Sequence, residues 1–433
     1  MIRYVGIDLH KAFSVACFVD RKGKVLDTVT FDTTRTGLKK FAQNQLDKEC
    51  RVAFESTTNS WGVVDILRPY VKSIVVSNAR KTKAIAEAKI KTDKVDARVL
   101  AQLLRVNFLP EIWIPDEKTI YLRRLMSRRR KLVQQRTSIK NRIHSVLHQL
   151  IVKEPKGDLF NPNGLVWLSG VALPEWGRAS IDSDLRLIEH LNEELKLLEK
   201  DIAKQSYAED KVKLLMTLPG VDMNTAITLV AALGDISRFK NADKAASYIG
   251  LTPSTRQSAY KCYNGHITKQ GNSNARWMLI QAAQTIRRHD GPIGNFYRRI
   301  ATKKGNNIAV VAAARKLVVY AWHMIKNNEP YRFSKPKPTL VKLAKLRILA
   351  TGVQRKKGSA KGKPRSKNYG TGKHMRILHS ISDVCAREGL PEPTTFEDLS
   401  TGEQRHIRKN KMVRTMRSIH TTTKIPERGT AGK

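Results

Sequence analysis

Short apolar runs separated by turns open the chain. Residues 2–8 read as a strand ending on Asp8, and residues 13–20 as a second strand. Arg21-Lys22-Gly23 is a turn, and residues 24–31 give a third strand. A helix is expected over about 36–48 with Thr36 as its N-cap. Residues 51–55 form a fourth strand ending on Glu55. A helix near 61–70, a strand over 73–77 and helical segments over 79–104 complete the pattern.

The period then changes. Residues 119–151 contain no Pro or Gly, and Leu122, Leu125, Leu132, Ile139, Ile143, Val146 and Leu150 mark an apolar seam interrupted by Arg129 and Arg136. Residues 152–180 read as a loop or small insert. A second helix over 183–205 has coiled-coil spacing. The pair is either a helical hairpin within one chain or a coiled coil that dimerises the protein and cradles nucleic acid with Arg128, Arg129 and Arg130. Leu218-Pro219-Gly220-Val221 separates two helices in a helix-hairpin-helix-like element, where Gly220 lets the turn amides approach a phosphate. Residues 250–260 read as irregular and polar, and residues 265–272 as a Gly-containing loop. Helices are expected from Ser273 and over 307–325. Lys11, Lys269 and Arg276 are further candidate nucleic-acid contacts. Beyond 330, Pro336, Pro338 and the basic run 355–373 read as a partly disordered tail with short helices near 375–388 and 395–411. The expected domains are 1–112, 113–206, 207–330 and 331–433.

Charge narrows the function. Lys and Arg number 80 against 38 Asp and Glu, a formal charge of +42. Such an excess repels itself unless a polyanion neutralises it, so nucleic acid is the leading partner. Cys17, Cys50, Cys262 and Cys385 form no CxxC pair, so neither a zinc site nor a disulfide framework is indicated. No leader and no run able to span a bilayer stand out. A cytoplasmic protein with no membrane role is expected.

The candidate chemistry centres on Lys91-Thr92-Asp93-Lys94-Val95-Asp96-Ala97-Arg98. Asp93 and Asp96 fall on one helix face, and their repulsion calls for a cation. With Asp8 and Glu55 they make four carboxylates, the ligand type that a hard cation such as Mg2+ takes. Each has a bland reading as a turn, surface or helix-start acid, and Glu87 is a rival ligand. Three strands followed by helix-strand-helix-strand-helix resembles the ribonuclease-H-like (resolvase-like) α/β fold. In that fold the first-strand Asp, fourth-strand Glu and last-helix Asp pair converge. The expected fold class is that α/β domain, a helical coiled-coil middle and a mainly α C-terminal domain. His10 and Lys11 are either phosphate contacts or an exposed loop pair.

Several motifs occur in a specific order: Gly6-Ile7-Asp8-Leu9-His10-Lys11, Glu55-Ser56-Thr57, Thr92-Asp93-Lys94-Val95-Asp96-Ala97, Leu218-Pro219-Gly220-Val221, Gly250-Leu251-Thr252-Pro253 and 265–272. The set resembles the insertion-sequence transposases of the IS-one-ten (IS110) family. That resemblance implies a recombinase in which a serine attacks a DNA phosphodiester and becomes covalently linked to DNA, assisted by the carboxylates and Mg2+. The family's Ser-Ser-Gly aligns with Gln257-Ser258-Ala259, which selects Ser258 and leaves Ser254 as the alternative. It also implies donor and target DNA, a structured guide (bridge) RNA, and a homodimer or homotetramer that builds its active site from two protomers. Two other readings stay open. One is a metal-dependent junction-resolving nuclease in which water attacks. The other is a non-enzymatic nucleic-acid binder, which leaves the carboxylates unexplained.

Overall fold

The computed structural model describes residues 2–86, 92–258, 260–353 and 375–426. The chain divides into two compact units, Met1–Asp116 and Glu117–Lys433. The first is a mixed α/β unit, and the second is mainly helical.

In the first unit β1 (Arg3–Leu9), β2 (Phe13–Val19) and β3 (Val25–Asp32) form an antiparallel meander, and α1 (Arg35–Gln45) follows. β4 (Cys50–Glu55), α2 (Ser60–Leu67), β5 (Ser73–Ser77), α3 (Ala79–Ile85) and α4 (Asp93–Arg105) complete it. The sheet order is β3-β2-β1-β4-β5, with β4 parallel to both β1 and β5. The cap of α1 is Thr34 rather than Thr36, because the Thr34 hydroxyl accepts the Gly37 amide at 3.0 Å. Glu87 and Lys91 lie outside the described residues.

Strand alternation decides what each face of the sheet carries. Val5, Ile7, Phe18, Val52, Phe54 and Val76 pack with Leu38, Phe41, Val63 and Leu67 of α1 and α2 in one core. Residues of the opposite parity face α4: Val15, Cys17 and Val19 pack on Ala97 and Ala101, and Ala53 and Val75 on Leu104. Gly6 has this second parity. A Cβ there would stand 2.1 Å from the Ala97 carbonyl oxygen and 2.4 Å from the Ala101 amide nitrogen, so the helix backbone lies directly on the strand. Gly6→Ala is therefore expected to cost about 2–3 kcal/mol by denaturant titration, the scale of an overpacked core. An unchanged midpoint would mean that α4 slides off the sheet freely.

The second unit begins with α5 (Glu117–Gln149), α6 (Pro162–Gly170) and α7 (Glu175–Tyr207). Arg129 meets Glu199, Arg136 meets Asn192 and Arg142 meets Asp184, so rising numbers on α5 match falling numbers on α7. The two helices are antiparallel partners within one chain, packed through Ile139, Ile143, Leu147, Ile181 and Ile188. Part of the expected insert over 152–180 is helical, as α6 and the first turns of α7.

α8 (Asp210–Leu215), α9 (Met223–Leu233), α10 (Ala242–Ile249), β6 (Pro253–Ser258), β7 (Lys261–Ile267), α11 (Ser273–Ile286), α12 (Pro292–Lys304) and α13 (Asn306–Asn327) follow. The segment expected to be irregular is a β6–β7 hairpin. Almost every residue of it is exposed, so it lacks the apolar alternation by which strands are read. α13 is the one described helix long and apolar enough to cross a membrane, although no such run is expected from the sequence. Here half of it is buried in the core.

The core continues past residue 330. α14 (Pro336–Thr351) begins with proline at its first helical position and replaces part of the expected linker. Leu343 and Leu346, with Val384 of α15 (Ile381–Glu388), Ile407 of α16 (Thr401–Lys409) and Met416 of α17 (Val413–Ile419), join the core of α9–α13. Lys342 Nζ donates to the carbonyls of Leu218 at 2.8 Å and Val221 at 3.0 Å. Burial lowers the Lys342 pKa to about 8. Arg347 pairs with Glu388 at 2.7 Å inside the same core. The basic run 355–373 lies outside the described residues.

Candidate active site

Asp8 follows Gly6 by two positions, so it shares the α4 face of the sheet. Glu55 follows Ala53 in the same way on the neighbouring strand. Gly6 pairs with Ala53 and Ile7 with Phe54, which sets Asp8 and Glu55 at the same carboxyl-terminal edge. α4 starts at Asp93 beside that edge. Thr92 caps it by accepting the Val95 amide at 3.3 Å, and Asp93 and Asp96 occupy its first turn, where the helix dipole favours negative charge.

The structure brings Asp8, His10 and Asp93 into one group whose ligand atoms lie within 4.8 Å of one another. His10 Nε2 stands 3.0 Å from Asp8 Oδ2 and 3.2 Å from Asp93 Oδ1, so the imidazole bridges the two carboxylates. Burial raises the Asp8 pKa above the ordinary aspartate value, His10 opposes this, and Asp96 and Asp93 add repulsion. Asp96 is thus close enough to act on Asp8, although it and Glu55 lie outside the three-residue group. Of the His10–Lys11 pair, His10 belongs to the acidic site, whereas Lys11 is exposed. The place of His10 two residues after a strand-end aspartate was the sequence signal for it.

Two carboxylates and an imidazole within reach of one point suit a divalent cation. A bound cation would also relieve the repulsion that Asp93 and Asp96 impose on Asp8. Asp8 and Asp93 have the oxygens for it, with Asp96 and Glu55 on the same face.

Ser258 ends β6 in the second unit, paired with Lys261 across the hairpin. Ala259 is outside the described residues, and Tyr260 beside it is fully exposed. Among the described residues the Ser258 hydroxyl has no hydrogen-bond partner. Ser254 differs: its hydroxyl donates to the His266 carbonyl at 3.1 Å and sits against Gly265.

The candidate nucleic-acid residues spread over the second unit, apart from Lys11 in the first. Arg128 is exposed and pairs loosely with Glu194 at 3.4 Å. Arg129 is spent on Glu199 at 2.8 Å. Arg130 donates to Ser273 Oγ at 2.9 Å, and Arg276 to the Ile249 carbonyl at 2.8 Å. Lys269 is exposed in a left-handed turn, with φ of 54°. Gly220 also has positive φ, 74°, and a Cβ there would stand 2.4 Å from the Ala282 carbonyl oxygen of α11. Its missing side chain therefore serves helix packing, and Asp222 already caps α9 through the Thr225 amide at 2.8 Å.

Comparison with known proteins fits these two parts. Residues 5–152 match the transposase family of DEDD type named for IS110, and residues 212–298 match the family described as Transposase IS116/IS110/IS902. The chain is 25% identical over 398 residues to the uncharacterized 44.8 kDa protein of insertion element IS116 from Streptomyces clavuligerus, covering 79% of this chain and 98% of that protein. It is 24% identical to the transposase for insertion sequence element IS1111A of Coxiella burnetii, covering 76% of this chain and 92% of that one. It is 25% identical to the pilin gene-inverting protein of Moraxella bovis, covering 76% and 97%. The acidic edge and the serine hairpin each fall inside a matched segment, in the same order along the polypeptide, and the chain belongs to the IS116/IS110/IS902 family of transposases.

Proposed function

We propose that this DNA transposase cuts and rejoins strands through a covalent Ser258–DNA link, assisted by the metal-binding carboxylates of its acidic edge. The observation that carries the reading is the carboxylate arrangement. Asp8 and Glu55 share one face of the sheet, α4 adds Asp93 and Asp96, and Asp8 and Asp93 meet around His10. The strand order β3-β2-β1-β4-β5 supports a ribonuclease-H-like unit.

Magnesium at Asp8 and Asp93, backed by Asp96 and Glu55, supplies charge neutralisation at the phosphodiester when bound. The chain's residues do the rest. The acidic edge holds its carboxylates close at an electrostatic cost that a bound cation would offset. His10 keeps Asp8 and Asp93 in register. Ser258 presents an oxygen on an exposed hairpin, where an extended strand of DNA has access. That oxygen attacks phosphorus and gives up its proton, one phosphorus–oxygen ester bond breaks, and the departing strand oxygen takes a proton in exchange. The reverse attack by a strand hydroxyl rejoins DNA and frees the serine, so the ester energy is conserved.

Ser258 is favoured over Ser254 because the Ser254 hydroxyl is engaged with His266. The names of the relatives support DNA as substrate, as transposition or inversion. The charge of +42 suits a second polyanion, here a guide RNA. Assembly as a dimer or tetramer rests on the family resemblance.

The test is incubation of the full chain with element-end DNA, candidate guide RNA and magnesium. DNA-linked protein that survives denaturing electrophoresis and disappears with chelator is expected. Cleaved DNA with free ends only would overturn the covalent reading in favour of water as nucleophile.

A further inference from the structure

The second unit contains a cavity of about 870 Å³ walled by α12, α13, the residues that follow α13, and α16. This is within the range of about 300–1,000 Å³ typical of small-molecule sites. Most of its wall comes from residues beyond 298, past the second family match.

The chemistry of the wall is specific. Phe296 lines the cavity with two cations over it: the Arg299 guanidinium carbon and Lys316 Nζ are each 5.6 Å from the ring centre. Among the described residues neither cation meets a carboxylate. Both acids of the wall are engaged elsewhere, because Arg332 takes Glu329 at 2.5 Å and Glu403 at 2.6 Å, and the trio keeps one net negative charge. Tyr331 also lines the cavity. It is 4% exposed, with its hydroxyl enclosed in the protein, so it contributes ring surface to the wall. Tyr320 packs edge-on against it at 5.3 Å.

An aromatic face and two cations without acids describe a nucleotide in negative. A base stacks on the ring and a phosphate lies between the cations. A purely apolar ligand would leave both cations unanswered. An acidic peptide would leave the aromatic face without a flat partner. We infer that this cavity takes one unpaired nucleotide of a bound nucleic acid, its base against Phe296 and its phosphate at Arg299 and Lys316. The inference uses neither the acidic edge nor Ser258, so it stands or falls apart from them.

The test titrates the full chain with a duplex carrying one bulged nucleotide and with its fully paired counterpart, in DNA and in RNA, at fixed salt. The native chain is expected to prefer the bulge by about 10-fold, the scale of one stacked base. Phe296→Ala should remove the preference and leave affinity for the paired duplex unchanged. Lys316→Ala changes an exposed residue without disturbing the core and should reduce the preference as well. Whichever nucleic acid shows the effect identifies the strand. A native chain indifferent to the bulge in both, or a preference that survives both variants, would overturn the proposal.

Discussion

Asp8→Asn is expected to lower strand cleavage by about 10³-fold with nucleic-acid affinity unchanged, as measured on element-end DNA. Asp8 stands at the centre of the acidic group, in contact with His10 and under repulsion from Asp96 and Asp93. Asparagine keeps the shape and one oxygen but removes the charge that would draw a cation. The same substitution makes a second statement, about stability. Burial raises the Asp8 pKa in the fold. Above that raised value the ionised carboxylate opposes folding, and the cost disappears as pH falls through it. The substituted amide never ionises, so the variant at neutral pH should unfold at a temperature no lower than the native chain. Magnesium separates the two effects. A ligand held by the folded state alone stabilises it by about 2.7 kcal/mol at a hundredfold excess over its Kd. The native chain should show a magnesium-dependent rise in unfolding temperature, and the variant a smaller one. If the variant unfolds early and magnesium moves neither protein, Asp8 is a structural residue.

Ser258→Ala should eliminate covalent protein–DNA adducts and reduce recombination by about 10⁴-fold or more, the scale of losing a nucleophile. Ser258 ends an exposed strand, so losing its hydroxyl opens no core cavity, and binding and stability should stay native. Ser254→Ala is the matched control. It removes a hydroxyl that donates to the His266 carbonyl inside the hairpin, so it should loosen the ladder and still form adducts. Adducts that persist in Ser258→Ala and vanish in Ser254→Ala would move the nucleophile to the other serine. Free DNA ends from both would leave water as the attacking group.

The parts of the first unit that were legible had strong local signals. Five strands and their flanking helices follow from short apolar runs bounded by turns, and the positions of Asp8 and Glu55 at strand ends follow from the same runs. The two long helices were legible where long runs free of proline carry an apolar seam, although the first turns of α7, around Gly177, were not. The β6–β7 hairpin was not, since exposed strands lack apolar alternation. Nor was α14, where two early prolines suggested a linker although proline is favoured in a helix's first turn. Gly220 suggested a phosphate turn, whereas Ala282 of α11, much further along the chain, claims the space beside it.

By itself the sequence determined that Asp8 and Glu55 each end an apolar strand, and that Asp93 and Asp96 share one helix face. It also determined the charge that makes a polyanion the partner. Only the tertiary structure decided that α4 lies against Gly6, that His10 bridges Asp8 and Asp93, and that the chain beyond 330 completes the second core and walls a cavity. The physical reason is range. Backbone period and turn chemistry are set by neighbours a few residues away, whereas these contacts join positions far apart in sequence and exist only once both sides have packed.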